Sequence, residues 1–343
     1  MKIKPVLLIA ATFLIINACN KDSTVADIPA STYDATVPLA WFKIAIAMSR
    51  VTPGNNGPVI ARTFGYMGLT LYESVVPGMP NNKSIQSQLN GLKALPTIMA
   101  NKKYYYQVSA NAALANMTRH MFGNASTAQN FTIDSLENAF NTTFKSTISG
   151  ADFDSSAHFG QHISDAIYNW STTDGGDKAY LNPSSSSYSP PAGPGLWVPQ
   201  TGQSAQLPYW GANRTFIAGN ATNTQPVAPP AYSTDITSQF YKEESEIYNE
   251  SVNQSAEHHA IALYWAAIPP PTVSISILNS VLTDKKSNLG EAAIAYCKLG
   301  IAIADALVSC YKTKYQYNQL RPITYIRANL GSTWSSLPAN RER

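Results

Sequence analysis

The chain has 343 residues, of which 44% are hydrophobic and 13% charged, and its formal net charge is +3. These proportions suit a packed globule of one large or two ordinary domains and exclude a disordered polyelectrolyte. Lys and Arg are scattered rather than blocked together with aromatics, which excludes nucleic acid as a partner.

At the N-terminus, MKIK precedes the apolar run PVLLIAATFLII and then Asn17, Ala18 and Cys19. The apolar core is too short to span a bilayer comfortably, and a small residue directly before a cysteine is the bacterial lipoprotein pattern. Residues 1–18 therefore read as a signal peptide and Cys19 as the acylated first residue of an exported protein, at the periplasmic face of a membrane or on the cell surface. An ordinary secretory leader with an incidental cysteine is the other reading. Loss of the leader removes Lys2 and Lys4, two of the three net positive charges. The membrane anchor would then be lipid rather than charge. Residues 19–37 read as a polar tether.

With Cys19 lipidated, only Cys297 and Cys310 remain. They lie about 20 Å apart along one helical run, beyond disulfide reach, and read as core thiols. Asn-X-Ser/Thr triplets at Asn116, Asn124, Asn130, Asn141 and Asn213 fit the Asn/Ser/Thr enrichment of an exported surface better than glycosylation.

From residue 38 onward the pattern is all-α. Apolar or small residues recur every three or four positions in PLAWFKIAIAMSRV, GPVIARTFGYMGLTLYESVV and YYYQVSANAALANMTRHMF. Further helices are predicted over 126–148, 152–171, 234–250, 254–283 with a break at IPPP, and 289–320. No internal repeat and no second membrane span is expected. Residues 174–232 differ, being dense in Pro, Gly, Ser and aromatics with almost no helical period. Such a long non-periodic segment is expected to be functional or to wrap the surface. Trp197, Tyr209 and Trp210 make it an ordered excursion over the bundle and part of a site wall, rather than a flexible linker.

Projected at 100° per residue, the last long helix places Lys298, Asp305 and Lys312 on one stripe. Lys314 falls with Gly300, Ile303, Leu307 and Cys310 on the small and apolar side, and Arg321 extends that side. A lysine and an arginine on a buried face cost several kcal/mol each unless an anion neutralises them. Because Arg321 precedes Pro322, the helix is predicted to end near Leu320 or Arg321. The planar fork of Arg321 could then hold two oxygens of an oxyanion while Lys314 supplies a point charge. In the competing reading both cations stay solvated and only complement the helix dipole.

Lys314, six intervening residues and Arg321-Pro322 resemble the first of three blocks that define the vanadium-dependent haloperoxidase and type 2 phosphatidic acid phosphatase superfamily. The segments IARTFGYMGLTLYESV, HHAIALYWAAIPPPT, IAIADALVSCYKTKYQYNQLRPITYIR and GPGLWVP resemble its soluble haloperoxidase-like branch, over about residues 38–343. The resemblance implies a helical bundle in which Lys314 and Arg321 bind vanadate or phosphate next to a small-molecule substrate. It also implies two later blocks, Pro-Ser-Gly-His and Ser-Arg with a following His. That last His is the nucleophile of the phosphatases and holds vanadate in the haloperoxidases, which oxidise halide with peroxide. Here no histidine follows Arg321. The expectation is a C-terminally truncated, inactive haloperoxidase- or acid-phosphatase-like chain with its last helices missing, and the alternative is a non-catalytic helical surface lipoprotein.

The five histidines all lie upstream. His158 and His162 share a helix face and could ligate a metal with Asp154 or Asp165, but they read as structural or surface residues; His258 and His259 at a helix start read as capping or surface residues, no metal site is expected, and His120 falls in a scaffold helix. Asp305 reads as a structural contact, to the lysine stripe or to another helix. Arg62 and Glu73 lie nearly on one face and are expected to pair in the core or at the surface.

Overall fold

The computed structural model describes residues 28–184, 187–200 and 202–336. The signal peptide, Cys19 and the first part of the tether lie outside the described residues. The packed body begins before residue 38: Ala30 is fully buried, the Leu289 N–H donates to the Tyr33 carbonyl, and α1 spans Thr36–Val51.

The remaining helices are α2 (Gly57–Val75), α3 (Tyr106–Met121), α4 (Thr127–Lys145), α5 (Gly150–Ser171), α6 (Asn220–Asn223), α7 (Gln239–Asn253), α8 (Ala256–Ala267), α9 (Pro270–Asp284), α10 (Leu289–Tyr317) and α11 (Pro322–Asn329). Among the described residues there is no strand, only isolated bridges. Several starts are written in the sequence. Asn56 caps α2 ahead of Pro58, and the pairs Ser126/Gln129 and Asn288/Glu291 close capping boxes on α4 and α10.

Every residue of α2 after Gly57 is buried, as its nearly continuous apolar and small sequence requires. It lies against α10, the other central helix. A side chain on Gly68 would run into the Tyr296 backbone, and one on Gly300 into the Phe64 backbone, so glycine is what lets the two helices approach. Phe42 of α1 stacks on Tyr296 at 3.8 Å and 4°. Helix α10 is long and apolar enough to cross a bilayer, but here one face of it forms the core against α2.

Two buried acids fasten the excursion of residues 174–232 to this core. Asp174 accepts from Arg62 Nε at 2.7 Å, Tyr66 OH at 2.8 Å and the Gly176 N–H at 2.7 Å. Asp305 accepts from the Phe216 and Ile217 N–H groups at 2.7 and 3.1 Å and from Asn220 Nδ2 at 2.8 Å. These contacts correct two expectations. Arg62 pairs with Asp174 across the fold, while Glu73 accepts from the Ile85 N–H, 3.0 Å away. Asp305 joins no lysine stripe; it is 4% exposed and its partners are mainly backbone donors of the excursion. The core-thiol expectation holds for Cys297, whose pKa burial pushes up, but Cys310 is exposed.

Beyond this body, α11 packs on α7. Tyr232, Phe240 and Tyr325 form an aromatic trio, and Trp334 Nε1 donates to Ser251 Oγ at 2.6 Å. Helix α8 buries none of its residues, leaving Ile261, Leu263, Tyr264 and Trp265 exposed.

Candidate oxyanion site

Helix α10 stops at Tyr317, three residues before the predicted end. Asn318 takes the left-handed conformation at φ 44° and ψ 41°, and its N–H bonds back to the Lys314 carbonyl. Asparagine tolerates that conformation because its short amide can bond locally, so it terminates the helix much as glycine would. The Arg-Pro rule acts next. Arg321 is extended at φ −80° and ψ 146°, and Pro322 opens α11, a helix the periodicity did not predict.

The excursion clamps the joint between the two helices. Its Trp197 N–H donates to the Asn318 carbonyl at 2.7 Å, and the Leu320 N–H donates to the Gly195 carbonyl at 2.8 Å. Tyr315 OH reaches the Gln206 carbonyl at 2.6 Å. Between these elements lies a cavity of about 1200 Å³ whose wall includes Lys314, Tyr315, Tyr317, Asn318 and Arg321 from the helix joint, Trp197 and Gln206 from the excursion, and Asn56 from the cap of α2. Among the described residues neither an acidic residue nor a histidine lines it.

Lys314 lies over the rings of Tyr311 and Tyr315, its ammonium 4.8 and 5.4 Å from their centroids. Although the residue as a whole is exposed, that end is partly shielded. Burial, and then the charge of Arg321, lower its pKa from 10.5, with Cys310 pulling weakly the other way. Among the described residues neither Lys314 nor Arg321 forms an ion pair, whereas Arg62 and Arg119 do.

The projection is corrected here as well. The buried stripe of α10 runs through Cys297, Gly300, Ile301, Ala304, Asp305 and Val308; Ile303 and Leu307 are half-buried, and Cys310, Lys314 and Arg321 are exposed. Small and apolar composition marked the wrong side because the excursion covers the more polar one, where Ser309 and Thr313 bond to Thr224 and Gln225. The case for an anion therefore rests on two cations sharing a cavity without acids, and burial of the helix face does not enter it.

The histidines stay outside. His120 stacks on Tyr168 at 3.8 Å and lies 3.5 Å from Asp165, His158 and His162 are exposed neighbours on α5, and His258 stands in the first turn of α8. Among the described residues no group of three or more His, Cys, Asp or Glu side chains could hold a metal ion. Sequence reasoning named Trp197 through the aromatic content of the excursion. It missed Asn56 and Gln206, for which no local signal exists, and Asn318, whose signal was an asparagine at a helix end.

No protein-family model and no curated protein matches the sequence. Among solved structures, the chain is similar to a bacterial vanadium-dependent iodoperoxidase, with 26% identity, a TM-score of 0.76, and alignment over 88% of this chain and 74% of that one. It is also similar to a bacterial vanadium-dependent chloroperoxidase in its holo form, with 13% identity, a TM-score of 0.57, and coverage of 89% and 76%; that likeness concerns the fold alone. The chain thus has the helical fold of the vanadium-dependent haloperoxidases, in agreement with the superfamily resemblance in its sequence.

Proposed function

We propose that, on this haloperoxidase fold, Lys314 and Arg321 bind the oxygens of a tetrahedral oxyanion, vanadate or phosphate, in an exported protein of the haloperoxidase and acid phosphatase type. One observation carries the reading: both cations line the same cavity and, among the described residues, no carboxylate does. The guanidinium presents two parallel donors that match two oxygens of one anion, and the ammonium supplies a third, movable donor with a full charge. The N-terminus of α11, at Arg321 and Pro322, adds a favourable dipole. Vanadate, when bound to an enzyme of this fold, supplies the centre at which peroxide is turned toward halide.

The residues lining the cavity include no histidine, so their work is to bind and orient the oxyanion. They supply no imidazole, either to act as a nucleophile or to hold vanadate. The chain by itself is expected to turn over neither substrate, and the same observation favours the second reading, a non-catalytic surface lipoprotein that captures an oxyanion. Bromination of monochlorodimedone with peroxide, measured with and without vanadate, and hydrolysis of p-nitrophenyl phosphate test this together. Either activity in the purified chain, lost on Lys314→Ala, would contradict the inactivity and show that catalysis is present. Lipidation at Cys19 belongs to the same proposal. Cys19→Ser should move the protein from the membrane fraction to the soluble one, and unchanged fractionation would remove the anchor from the account.

A further inference from the structure

Trp197 and Asn318 adjoin each other in the cavity wall, joined by the bond from the Trp197 N–H to the Asn318 carbonyl. Trp197 is 9% exposed and Asn318 4%. The indole Nε1 of the first and the amide Nδ2 of the second are both buried, and among the described residues neither has a hydrogen-bond partner. An unmade buried donor costs about 1–3 kcal/mol, and folded proteins leave few of them. Two such donors on bonded neighbours, in the wall that carries Lys314 and Arg321, call for an acceptor that the protein does not provide.

An oxyanion provides it. Its four oxygens carry more lone pairs than one ammonium and one guanidinium can satisfy, which leaves room for neutral N–H groups. We propose that Trp197 Nε1 and Asn318 Nδ2 are further binding groups for the oxyanion, so that the excursion contributes a ligand-binding side chain as well as a cover. This rests on the reading of Lys314 and Arg321 given above.

The local backbone holds both donors at a fixed place relative to the cations. Asn318 is tied to Lys314 by its own N–H, and Arg321 follows three residues later. On the excursion side Gly195 has φ 74°, and Tyr232 fills the space that a β-carbon there would need. The Gly195–Trp197 stretch can therefore neither shift freely nor accept a larger residue at its first position.

The test is titration of the full chain with inorganic phosphate, alongside thermal unfolding, for the wild type and for W197F, N318G and K314A. W197F keeps an aromatic ring and removes the N–H together with part of a buried ring, so its Tm should fall through lost packing while phosphate binds about ten-fold more weakly. N318G keeps the left-handed turn without strain and removes the amide, and should weaken binding by a similar factor. Wild-type affinity in both W197F and N318G, with K314A impaired, would overturn this inference and leave the cation reading intact. Wild-type affinity in K314A, or no binding by the wild type, would remove the cation reading itself.

Discussion

Arg62 and Arg321 are the same side chain in opposite settings. Arg62 lies between α2 and the start of the excursion, 9% exposed, with Asp174 on its Nε and the Ser171 carbonyl on one terminal nitrogen. Arg321 stands at a helix joint, exposed, with another cation in the same cavity wall and no acid there. A buried charge must be neutralised within the fold, so a pair of the first kind holds elements together. Like charges held near one another without a counter-ion gain nothing for the fold. On the proposed reading, the second arrangement serves something that binds to it.

The contrast predicts opposite mutational behaviour. Asp174→Ala should have the largest effect on stability, about 3–5 kcal/mol in urea unfolding, because it strands a buried guanidinium. A loss below about 1 kcal/mol would show that Arg62 finds water instead. Asp305→Ala should follow at about 2–4 kcal/mol, since it leaves one buried and one partly buried backbone donor of the excursion unmet. If protease resistance of residues 174–232 survived that change, Asp305 would not be the fastener described here.

Glu244 gives a smaller, pH-dependent effect. It is 6% exposed, and burial first, then the neighbouring Glu243, push its pKa up from 4.5 to about 7. A carboxyl raised in the folded state contributes stability that is full below its unfolded pKa and is lost as pH rises through the folded value. Stability should therefore fall by about 1–3 kcal/mol between acid pH and pH above 7, and Glu244→Gln should flatten that decline. An identical slope in the variant would assign the pH dependence elsewhere. Smallest of all, Lys314→Ala should change stability by no more than about 0.5 kcal/mol in either direction, because the loss of its contacts with the Tyr311 and Tyr315 rings is offset by relief of its repulsion from Arg321. Marked destabilisation would move Lys314 into the class of Arg62.

How much was legible beforehand follows the same division. Helices α1 to α5 and α7 to α10 were readable because each repeats its apolar residues at helical spacing between capping residues, as with Ser126 and Asn288. Helix α11 was not, since eight residues after Arg-Pro carry too few turns to show a period. The spacing of Lys314 and Arg321-Pro322 singled out two cations that line one cavity. The covering of α10 around Asp305, Ser309 and Thr313 could not be read from its own composition, because a non-periodic excursion, whose path the sequence does not reveal, lies over that part. For the same reason Asp305 looked like a partner for lysines, when its partners are the N–H groups of Phe216 and Ile217.

The central claim is that Lys314 and Arg321 together hold a tetrahedral oxyanion, and equilibrium titration of the chain with orthovanadate and with phosphate addresses it most directly. The account predicts saturable binding of both anions that weakens at least ten-fold on Arg321→Ala and on Lys314→Ala. Affinity should also decline with rising pH before an ordinary lysine would lose its proton at 10.5, because the Lys314 pKa is lowered. Binding that is unchanged in both alanine variants would contradict it.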